Sequence, residues 1–440
     1  MIVLNPHQKT PIRFMKKNRG IILFHSTGAG KSLTALYSVY QFDYNITIIG
    51  PKSSKKAFID NINKADMDIN RFTFYTYTKI KKILESDITF FKNTSVIVDE
   101  AHTLRNENMY NLYIASALMI APKVILLTAT PVVNYFNDLS VLVNIVKGQD
   151  VLPTDRLLFD HMFYDEETML LINTNTLFNK LLNSISYYKT TDTINYPSSK
   201  THIMEVEMDY MQIDEYKYYI KKIIYGDTNV PDNYDIFNIN YGLLPNKKRN
   251  FFLNVTRQLS NIAKQADFSP KIQEIIDKIT KGPYPIVVYS NFLKNGIYSI
   301  AVLLEKNNIS YKIISGFVTQ DKLNIIVNNY NNGMFKVLLL SSAGSESLDL
   351  KNTRQVHIME PHWNESKITQ VIGRSIRYGS HINLPIEERK VDIYRWISIF
   401  PEQYKNISAD QYLMELSLKK TKLWNKYLEI VIDASIENNH

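Results

Sequence analysis

The chain has 440 residues, of which 45% are hydrophobic, so it is long enough to bury two or three domain-sized cores. It holds 51 basic and 43 acidic residues and no cysteine, which excludes disulfide bonds and cysteine-ligated metal sites. No apolar run reaches the length of a membrane span, and we see no cleavable signal pattern. These features predict a soluble intracellular enzyme with no membrane and no disulfide partner.

The first 145 residues alternate short apolar runs with helical patterns, which predicts a parallel sheet covered by helices. The predicted strands there are IILF, ITIIG, FTFYTY, SVIVDE and KVILLTATP. A second series over residues 269–400 begins with a helix that has Ser269 as N-cap, and its strands are PIVVYS, YKIISG, KVLLLSS, QVHIME and KVDIYRW. Two series of this kind are typical of two α/β domains, each doubly wound.

The strand rhythm is lost between the two series, over residues 146–268. LFNKLLNSISYY and MQIDEYKYYIKKIIYG predict helices there, so we expect a mainly helical insertion or connector. Residues 401–440 form the predicted C-terminal tail, with one long helix from Ser408 to about Ser435.

A glycine-bearing turn follows the first predicted strand, in GIILFHSTGAGKSLTALYSVY. Gly28 and Gly30 let the backbone curl so that its N–H groups point at a phosphate chain, and the helix from Lys31 presents its positive end to the same anion. Lys31 would then reach the β- and γ-phosphates, and the Ser32 hydroxyl would ligate Mg²⁺. His25 stands where the usual motif has its first glycine, so this segment alone leaves an ordinary strand–turn–helix open.

Two adjacent carboxylates, Asp99 and Glu100, follow the buried strand of SVIVDEAH. They emerge at the carboxyl end of the strand, where ligands bind in open α/β sheets. Asp99 would hold Mg²⁺ together with Ser32, and Glu100 would orient and deprotonate the attacking water. The alternative is an acidic pair that merely caps the next helix.

The segment LLTATP places the hydroxyls of Thr128 and Thr130 at another strand end. Such hydroxyls could bridge the carboxylates to a second domain. They could equally cap a turn, and the segment itself does not decide between the two.

The segment QVIGRSIRYG carries Arg374 and Arg377 three residues apart, so on a helix they project from one face. Two guanidinium groups there could embrace a γ-phosphate held by the first domain and stabilise the charge of the transition state. An arginine pair on a helix is usually a solvated face. Here Gln370 and Gly373 accompany the pair in register, which favours the functional interpretation.

The basic residues occur in clusters, at Lys16-Lys17, Lys52 with Lys55-Lys56, Lys79 with Lys81-Lys82, Lys247-Lys248-Arg249 and Lys419-Lys420. Each cluster could be a solvated face. As a set they are compatible with a nucleic-acid backbone as partner.

With these motifs in place, the chain resembles the superfamily 2 helicase-like ATPases. The motifs of that superfamily occur here in the same order and spacing; they are Gln8, STGAGKS, DEAH, TATP, SSAGSESLDL and QVIGRSIR. TATPVVNYFNDLSVLVNI and EPHWNESKITQVIGR are similar to the Swi/Snf-type pattern. LKNTRQVHIMEPHWNESKITQVIGRSIRYGSHINLPIEERKVDIYRW looks like the poxvirus branch, which holds nucleoside triphosphate phosphohydrolase I and the ATPase subunit of the early transcription factor. Ser347 departs from the glycine that the relatives usually have there.

The resemblance implies two tandem RecA-like domains that close on ATP and move along a nucleic-acid strand. It implies that Gln8 contacts adenine, and that Arg374 and Arg377 act as fingers beside Gln370. The implied nucleotide-binding residues are Gln8, Thr27, Gly28, Ala29, Gly30, Lys31, Ser32 and Asp99. The residues implied to couple the site to the second domain are His102, Thr128 and Thr130. Candidate contacts to the strand, all at strand ends, are Pro51, Lys52, Ser53, Ser290, Asn291, Ser341 and Ser342.

The favoured hypothesis is a DNA-dependent ATPase that translocates on duplex or single-stranded DNA. It would serve viral transcription, at initiation or termination, with a viral RNA polymerase as partner. A viral protein of this kind is expected in the virion and the cytoplasmic viral factory. An RNA helicase shares all the motifs and stays open. A catalytically silent scaffold that binds DNA or polymerase is opposed by the intact Lys31, Asp99 and Glu100.

Overall fold

The strands and helices form two units in the computed structural model. Unit 1 comprises Met1–Thr191 and Lys420–His440, and unit 2 comprises Asp192–Lys419. Among the helices described, none combines the length and apolar character that a membrane span requires. The residues that the structure describes are 3–26, 28–105, 109–129, 135–165, 168, 170–189, 195–226, 236–264, 266–342, 348–363, 365–404 and 406–439.

The bounds of the elements follow in chain order. The strands are β1 (Gly20–His25), β2 (Asn45–Ile49), β3 (Phe72–Tyr75), β4 (Thr94–Val98), β5 (Lys123–Thr128), β6 (Tyr164–Asp165), β7 (Leu170–Leu171), β8 (Ile185–Tyr188), β9 (Ser198–Glu207), β10 (Ile286–Ser290), β11 (Tyr311–Ile314), β12 (Val337–Ser341), β13 (Gln355–Ile358) and β14 (Lys390–Ile399). The α-helices are α1 (Pro6–Lys17), α2 (Lys31–Tyr40), α3 (Lys55–Lys64), α4 (Tyr77–Ser86), α5 (Met109–Met119), α6 (Asp138–Lys147), α7 (Arg156–Phe163), α8 (Thr174–Leu181), α9 (Tyr210–Tyr219), α10 (Asn246–Asn261), α11 (Pro270–Lys281), α12 (Ser299–Lys306), α13 (Gln320–Asn331), α14 (Glu365–Ser375), α15 (Ala409–Asp433) and α16 (Ile436–Asn439). Short 3₁₀ turns lie at Lys52–Ser54, Ile69–Arg71, Ala101–Arg105, Tyr241–Leu243, Ile386–Glu388 and Glu402–Tyr404, and π-helical turns at Ile220–Tyr225 and Leu293–Tyr298.

Unit 1 is built on a six-stranded parallel sheet in the order β3-β2-β4-β5-β1-β8. Neighbouring residues of a strand pack on opposite faces, as the pleat requires. On β1, Ile22 packs with residues of α5 and α6 on one face, and Ile21 packs with residues of α2 and α3 on the other. Because all strands run the same way, the loops after β1, β2, β4 and β5 emerge at one edge of the sheet.

Unit 2 repeats this architecture with a six-stranded parallel sheet in the order β11-β12-β10-β13-β14-β9. Apolar residues of α11 and α12 cover one face, and those of α13 and α14 cover the other. The ten strands predicted from the two alternating series are all present, and the doubly wound α/β class is confirmed for both units. The helix α11 begins after Ser269 and ends before Gly282, and the long helix α15 forms as predicted.

Residues 146–268, predicted as a mainly helical connector, do not form a unit of their own in this division. Within them, the segment ISYY of the predicted helix LFNKLLNSISYY is wrong as a helix, because it forms β8 and pairs in parallel with β1. The strand β9 pairs along its whole length with β14. Each of these strands pairs with backbone N–H and C=O groups that would otherwise lie unpaired at the edge of its sheet. These hydrogen bonds outweigh the local helical pattern.

Candidate functional site

The loop between β1 and α2 curls through two glycines in the left-handed region. The φ angles are 82° at Gly28 and 77° at Gly30, values that a residue with a side chain adopts only with strain. A Cβ at Gly30 would also come within 2.5 Å of the Gln8 amide nitrogen. The helix α2 begins directly afterwards at Lys31, so the free N–H groups of its first turn lie beside the loop. The two glycines are therefore where the predicted phosphate loop needs them.

Lys31 lies folded onto this loop and close to the two carboxylates. Its Nζ donates to the carbonyl oxygens of His25 at 2.8 Å and Ser26 at 3.1 Å. Burial lowers the pKa of Lys31, and the negative charges of Glu100 and Asp99 oppose that shift. The structure thus brings the predicted lysine and the predicted acidic pair into one electrostatic site.

Asp99 lies at the carboxyl end of β4, with its backbone N–H donated to the Ile49 carbonyl at 2.7 Å. Burial raises the pKa of Asp99, and the neighbouring charge of Glu100 raises it further. A hydrogen bond from Ser54 and the charge of Lys31 act in the opposite direction. A bound cation would offset the repulsion between the two adjacent carboxylates, which is one of the causes that raise this pKa.

Glu100 has a backbone φ of 53°, in the left-handed region that non-glycine residues rarely occupy. The Tyr77 hydroxyl donates to the carbonyl oxygens of Asp99 at 2.7 Å and Glu100 at 3.2 Å. Thr103 donates to the same Glu100 carbonyl from its backbone at 3.0 Å and its hydroxyl at 2.8 Å. These bonds hold the turn, and the Glu100 side chain stays 52% exposed. The carboxylate is therefore accessible to water.

His102 connects Glu100 to the end of β5. Its Nδ1 lies 3.3 Å from a carboxylate oxygen of Glu100 and 3.4 Å from the Thr128 hydroxyl. Burial lowers the pKa of His102 to about 4, and the positive charge of Arg105 adds to the shift. The ring is thus neutral at neutral pH, and its contact with Glu100 is a hydrogen bond between a neutral ring and a carboxylate. The predicted residues Thr27 and Thr130 lie outside the described residues.

Gln8 is buried beside the loop. Its side-chain oxygen accepts from the Asn5 backbone at 2.9 Å, and its amide nitrogen lies 3.4 Å from the Gly30 carbonyl oxygen. His7 lies next to it, with Nε2 3.0 Å from the carbonyl oxygen of Ala29. Both side chains brace the loop, and the adenine contact of Gln8 stays a prediction.

The predicted arginine pair of unit 2 differs from its expected geometry. Arg374 lies in α14, but Arg377 lies two residues beyond the end of that helix, so the prediction that both stand on one helical face is wrong. The Arg377 Nε donates to the Gly373 carbonyl at 3.1 Å, and a terminal nitrogen lies 3.9 Å from Asp349. Gln370 is exposed on α14.

At the carboxyl edge of the unit 1 sheet, Lys52 and Ser53 are exposed and Pro51 is half-buried. They follow β2 and form a 3₁₀ turn that leads into α3. Lys55 and Lys56 are exposed in the first turn of that helix. Lysines beside the positive end of a helix make this the basic part of the edge.

At the carboxyl edge of the unit 2 sheet, two of the predicted contact residues are buried. Ser290 donates its hydroxyl to Glu360 at 2.9 Å, and the backbone N–H of Asn291 donates to the same carboxylate at 2.6 Å. Ser341 is buried as well. We therefore no longer propose Ser290 and Ser341 as contacts to the nucleic-acid strand. Asn291 and Ser342 are partly exposed and stay in the proposed set.

Sequence reasoning missed several residues that shape these sites. Tyr77, at the start of α4, holds the backbone of the acidic pair, and Ser54 hydrogen-bonds the Asp99 carboxylate; no local pattern marks either residue. Glu360 holds the turn after β10, and a signal for it existed, because it follows a buried strand as Asp99 does. In both units an acid thus lies within two residues of the end of a parallel strand.

The fold and the site are those expected of an ATPase of helicase superfamily 2 with two parallel α/β domains. Residues 44–268 match the SNF2-related domain, and residues 270–379 match the helicase conserved C-terminal domain. The chain belongs to the SNF2-related family, in the Swi/Snf-like viral branch that includes nucleoside triphosphatase I. It is a nucleic-acid-dependent ATPase.

Three of its relatives come from large DNA viruses. A protein of Acanthamoeba polyphaga mimivirus, whose name ascribes ATP-dependent RNA helicase activity to it, is 80% identical over 100% of this chain and 99% of that protein. A termination factor NPH-I homologue of African swine fever virus is 24% identical over 96% of this chain and 76% of its own length. Nucleoside triphosphatase I of Choristoneura biennis entomopoxvirus is 24% identical over 97% and 77%, respectively.

One solved structure supports the fold alone. The helicase domain of Pyrococcus furiosus Hef has a TM-score of 0.51 and 14% identity, and the alignment covers 96% of this chain and 98% of that one. At this identity the similarity confirms the two-domain architecture and carries nothing about substrates.

Proposed function

We propose that the protein couples Mg²⁺-dependent ATP hydrolysis to movement along DNA and acts in viral transcription. The observation that carries the proposal is the ordered group of Lys31, Asp99, Glu100 and His102 at the carboxyl edge of the unit 1 sheet. The name of the African swine fever virus relative, a termination factor homologue, supports a role in transcription, and the name of the entomopoxvirus relative supports nucleoside triphosphate hydrolysis. A viral RNA polymerase is the proposed partner.

The donor set of unit 1 suits Mg²⁺. Among the described residues no group of three histidine, cysteine or acidic side chains could cage a metal ion. Magnesium needs no such cage, because it usually keeps waters and binds one or two carboxylates together with substrate phosphates. The Ser32 hydroxyl and the Asp99 carboxylate are oxygen ligands of the kind it prefers. Bound there, the ion would neutralise charge on the phosphates.

The protein side chains divide the remaining work. Lys31 leaves its two carbonyl partners in the loop to bind phosphate oxygens, which accept a charged donor better than carbonyls do. Glu100 accepts a proton from the attacking water, since its carboxylate is exposed and its backbone is held in place. Neutral His102 hydrogen-bonds that carboxylate and also contacts the Thr128 hydroxyl, so it connects the carboxylate to the end of β5.

Unit 2 supplies the proposed arginine fingers, Arg374 and Arg377. The described residues of unit 2 include no phosphate loop, so the two arginines would act on a nucleotide that unit 1 binds. Their proposed role is to stabilise charge on the γ-phosphate when the two units close on ATP.

A second candidate, an RNA helicase, is favoured by the name of the mimivirus relative that is 80% identical. ATP hydrolysis measured with single-stranded DNA, duplex DNA and RNA of the same length and sequence separates the two. We expect DNA to stimulate hydrolysis more than RNA does, with Lys31→Ala as the control for contaminating ATPases. Stimulation of hydrolysis by RNA alone would favour the RNA helicase and would contradict the proposal of a DNA translocase.

The exposed lysines after β2 predict a steep salt dependence of DNA affinity. Each phosphate contact contributes about 0.9 to the slope of log affinity against log salt concentration. We expect Lys52→Ala to reduce that slope by about 1 and to weaken binding almost equally for different DNA sequences. The measurement is a fluorescence-anisotropy titration at several salt concentrations.

Lys92→Ala is the matched control, because Lys92 is an exposed lysine of the same unit that precedes β4 and so lies at the opposite edge of the sheet. An equal decrease in the slope for both variants would show that the effect comes from net charge. The proposal that Lys52 contacts DNA would then be wrong.

A further inference from the structure

A buried polar chain begins at the residue that replaces the first glycine of the phosphate loop. His25 is the last residue of β1 and is fully buried. Its Nε2 lies 2.8 Å from the hydroxyl oxygen of Ser186, in the neighbouring strand β8. Burial lowers the pKa of His25 to about 3, so the ring is neutral at neutral pH.

The same serine leads on to α16. The Ser186 hydroxyl donates to one carboxylate oxygen of Glu437 at 2.5 Å, and the Tyr187 backbone N–H donates to the other at 2.9 Å. A hydroxyl has one proton to donate, so Ser186 accepts the hydrogen bond from the Nε2–H of His25. The order of donation is therefore His25 to Ser186 to Glu437.

This set of a histidine, a serine and an acid is not a hydrolytic triad. In such a triad the carboxylate orients the histidine, whereas here Glu437 bonds the serine and the peptide after it. Ser186 is also fully buried, so its hydroxyl cannot attack a substrate. The arrangement can only position what it contacts.

What it contacts is the start of the phosphate loop. The carbonyl oxygen of His25 accepts the hydrogen bond from Lys31, and the Ser26 backbone N–H donates to the Tyr188 carbonyl at 2.9 Å. Tyr188 stacks on His7 with ring centroids 3.7 Å apart. The loop entry is thus attached to β8, and β8 lies at the edge of its sheet, where Glu437 binds its outward backbone group.

We infer that Glu437 is a positioning residue for ATP binding, which acts on the phosphate loop through Ser186 and His25. The inference rests on the assignment of that loop as the phosphate site. Removing the carboxylate leaves the Ser186 hydroxyl and the Tyr187 N–H without their acceptor and frees the His25 side chain. The loop then spends less time in the shape that binds phosphate, while Glu100 and the arginines are untouched.

The test is a comparison of KM and kcat for ATP in Glu437→Ala and Glu437→Gln. We expect Glu437→Ala to raise KM about tenfold, the size of effect that loss of a charged hydrogen bond produces, with kcat within about twofold of wild type. Glu437→Gln should recover part of the loss, because its amide oxygen accepts from Ser186 but cannot also replace the second carboxylate oxygen. Glu429→Ala, which removes an exposed acid of α15, is the matched control.

Ser186→Ala gives an independent second variant in case Glu437→Ala does not fold. It should reproduce the rise in KM, and the double variant should be no worse than the worse single one, since both act through one chain of contacts. A KM for Glu437→Ala and Ser186→Ala equal to that of Glu429→Ala would overturn the inference. A wild-type protein that binds no ATP would instead refute the proposed function, so the two failures are distinguishable.

Discussion

Replacement of Glu100 by glutamine is expected to abolish ATP turnover while ATP affinity stays close to that of the wild type. The carboxylate is the proposed acceptor of the proton from water, and a positioned general base contributes about 10²- to 10⁴-fold to the rate. Glutamine has nearly the same shape, so the turn held by Tyr77 and Thr103 should be unchanged. The measurements are steady-state hydrolysis and equilibrium binding of ATP.

Lys31→Ala is the variant that separates base catalysis from phosphate binding. Lys31 begins α2 and its side chain lies on the loop, so its loss should reduce both ATP affinity and turnover. Near-normal hydrolysis by Glu100→Gln would mean that Glu100 is not the base, and the role would then have to pass to another group near Asp99.

Replacement of Arg377 by alanine is expected to reduce the DNA-stimulated rate of ATP turnover by about 10³-fold or more, the usual contribution of an arginine finger. ATP binding should stay nearly intact, because the proposed nucleotide site is in unit 1 and Arg377 belongs to unit 2. DNA that contacts both units would favour the closed state in which the arginine acts. Nucleotide affinity and DNA-stimulated rate, measured side by side, test this expectation.

Lys367→Ala is the matched control for Arg377→Ala, since Lys367 is an exposed cation in α14 of the same unit. It should leave both quantities near wild type. If Arg377→Ala keeps the wild-type ratio of stimulation by DNA, Arg377 is not a finger and the proposed closure of the two units has to be withdrawn.

The strands and the glycine turn between β1 and α2 could be predicted because their causes are local. Buried parallel strands appear as short apolar runs, and the left-handed φ angles at Gly28 and Gly30 require glycine wherever the loop occurs. The bounds of α11 are likewise set by adjacent residues, since the helix begins after Ser269 and ends before Gly282. The acidic pair after β4 followed from the rule that ligands bind at the carboxyl ends of strands.

The positions of single side chains could not be predicted in this way. Ser290 and Ser341 stand at strand ends, where small hydroxyls suit a phosphate backbone, yet the fold buries both. Arg377 keeps the spacing of a helical pair, but α14 ends before it. In each case the outcome depends on what packs or turns nearby, and no pattern in the neighbouring sequence records it.

By itself, the sequence determined the two α/β domains, the order of the motifs and the glycine-dependent turn after β1, because periodicity and backbone requirements are carried by adjacent residues. Only the tertiary structure decided that ISYY is a strand beside β1, and that Glu437 supports that strand and, through Ser186, His25. Ser186 and Glu437 are separated by 251 positions along the chain. Contacts of that range depend on the path of the whole chain, which is set by the packing of both faces of the sheet.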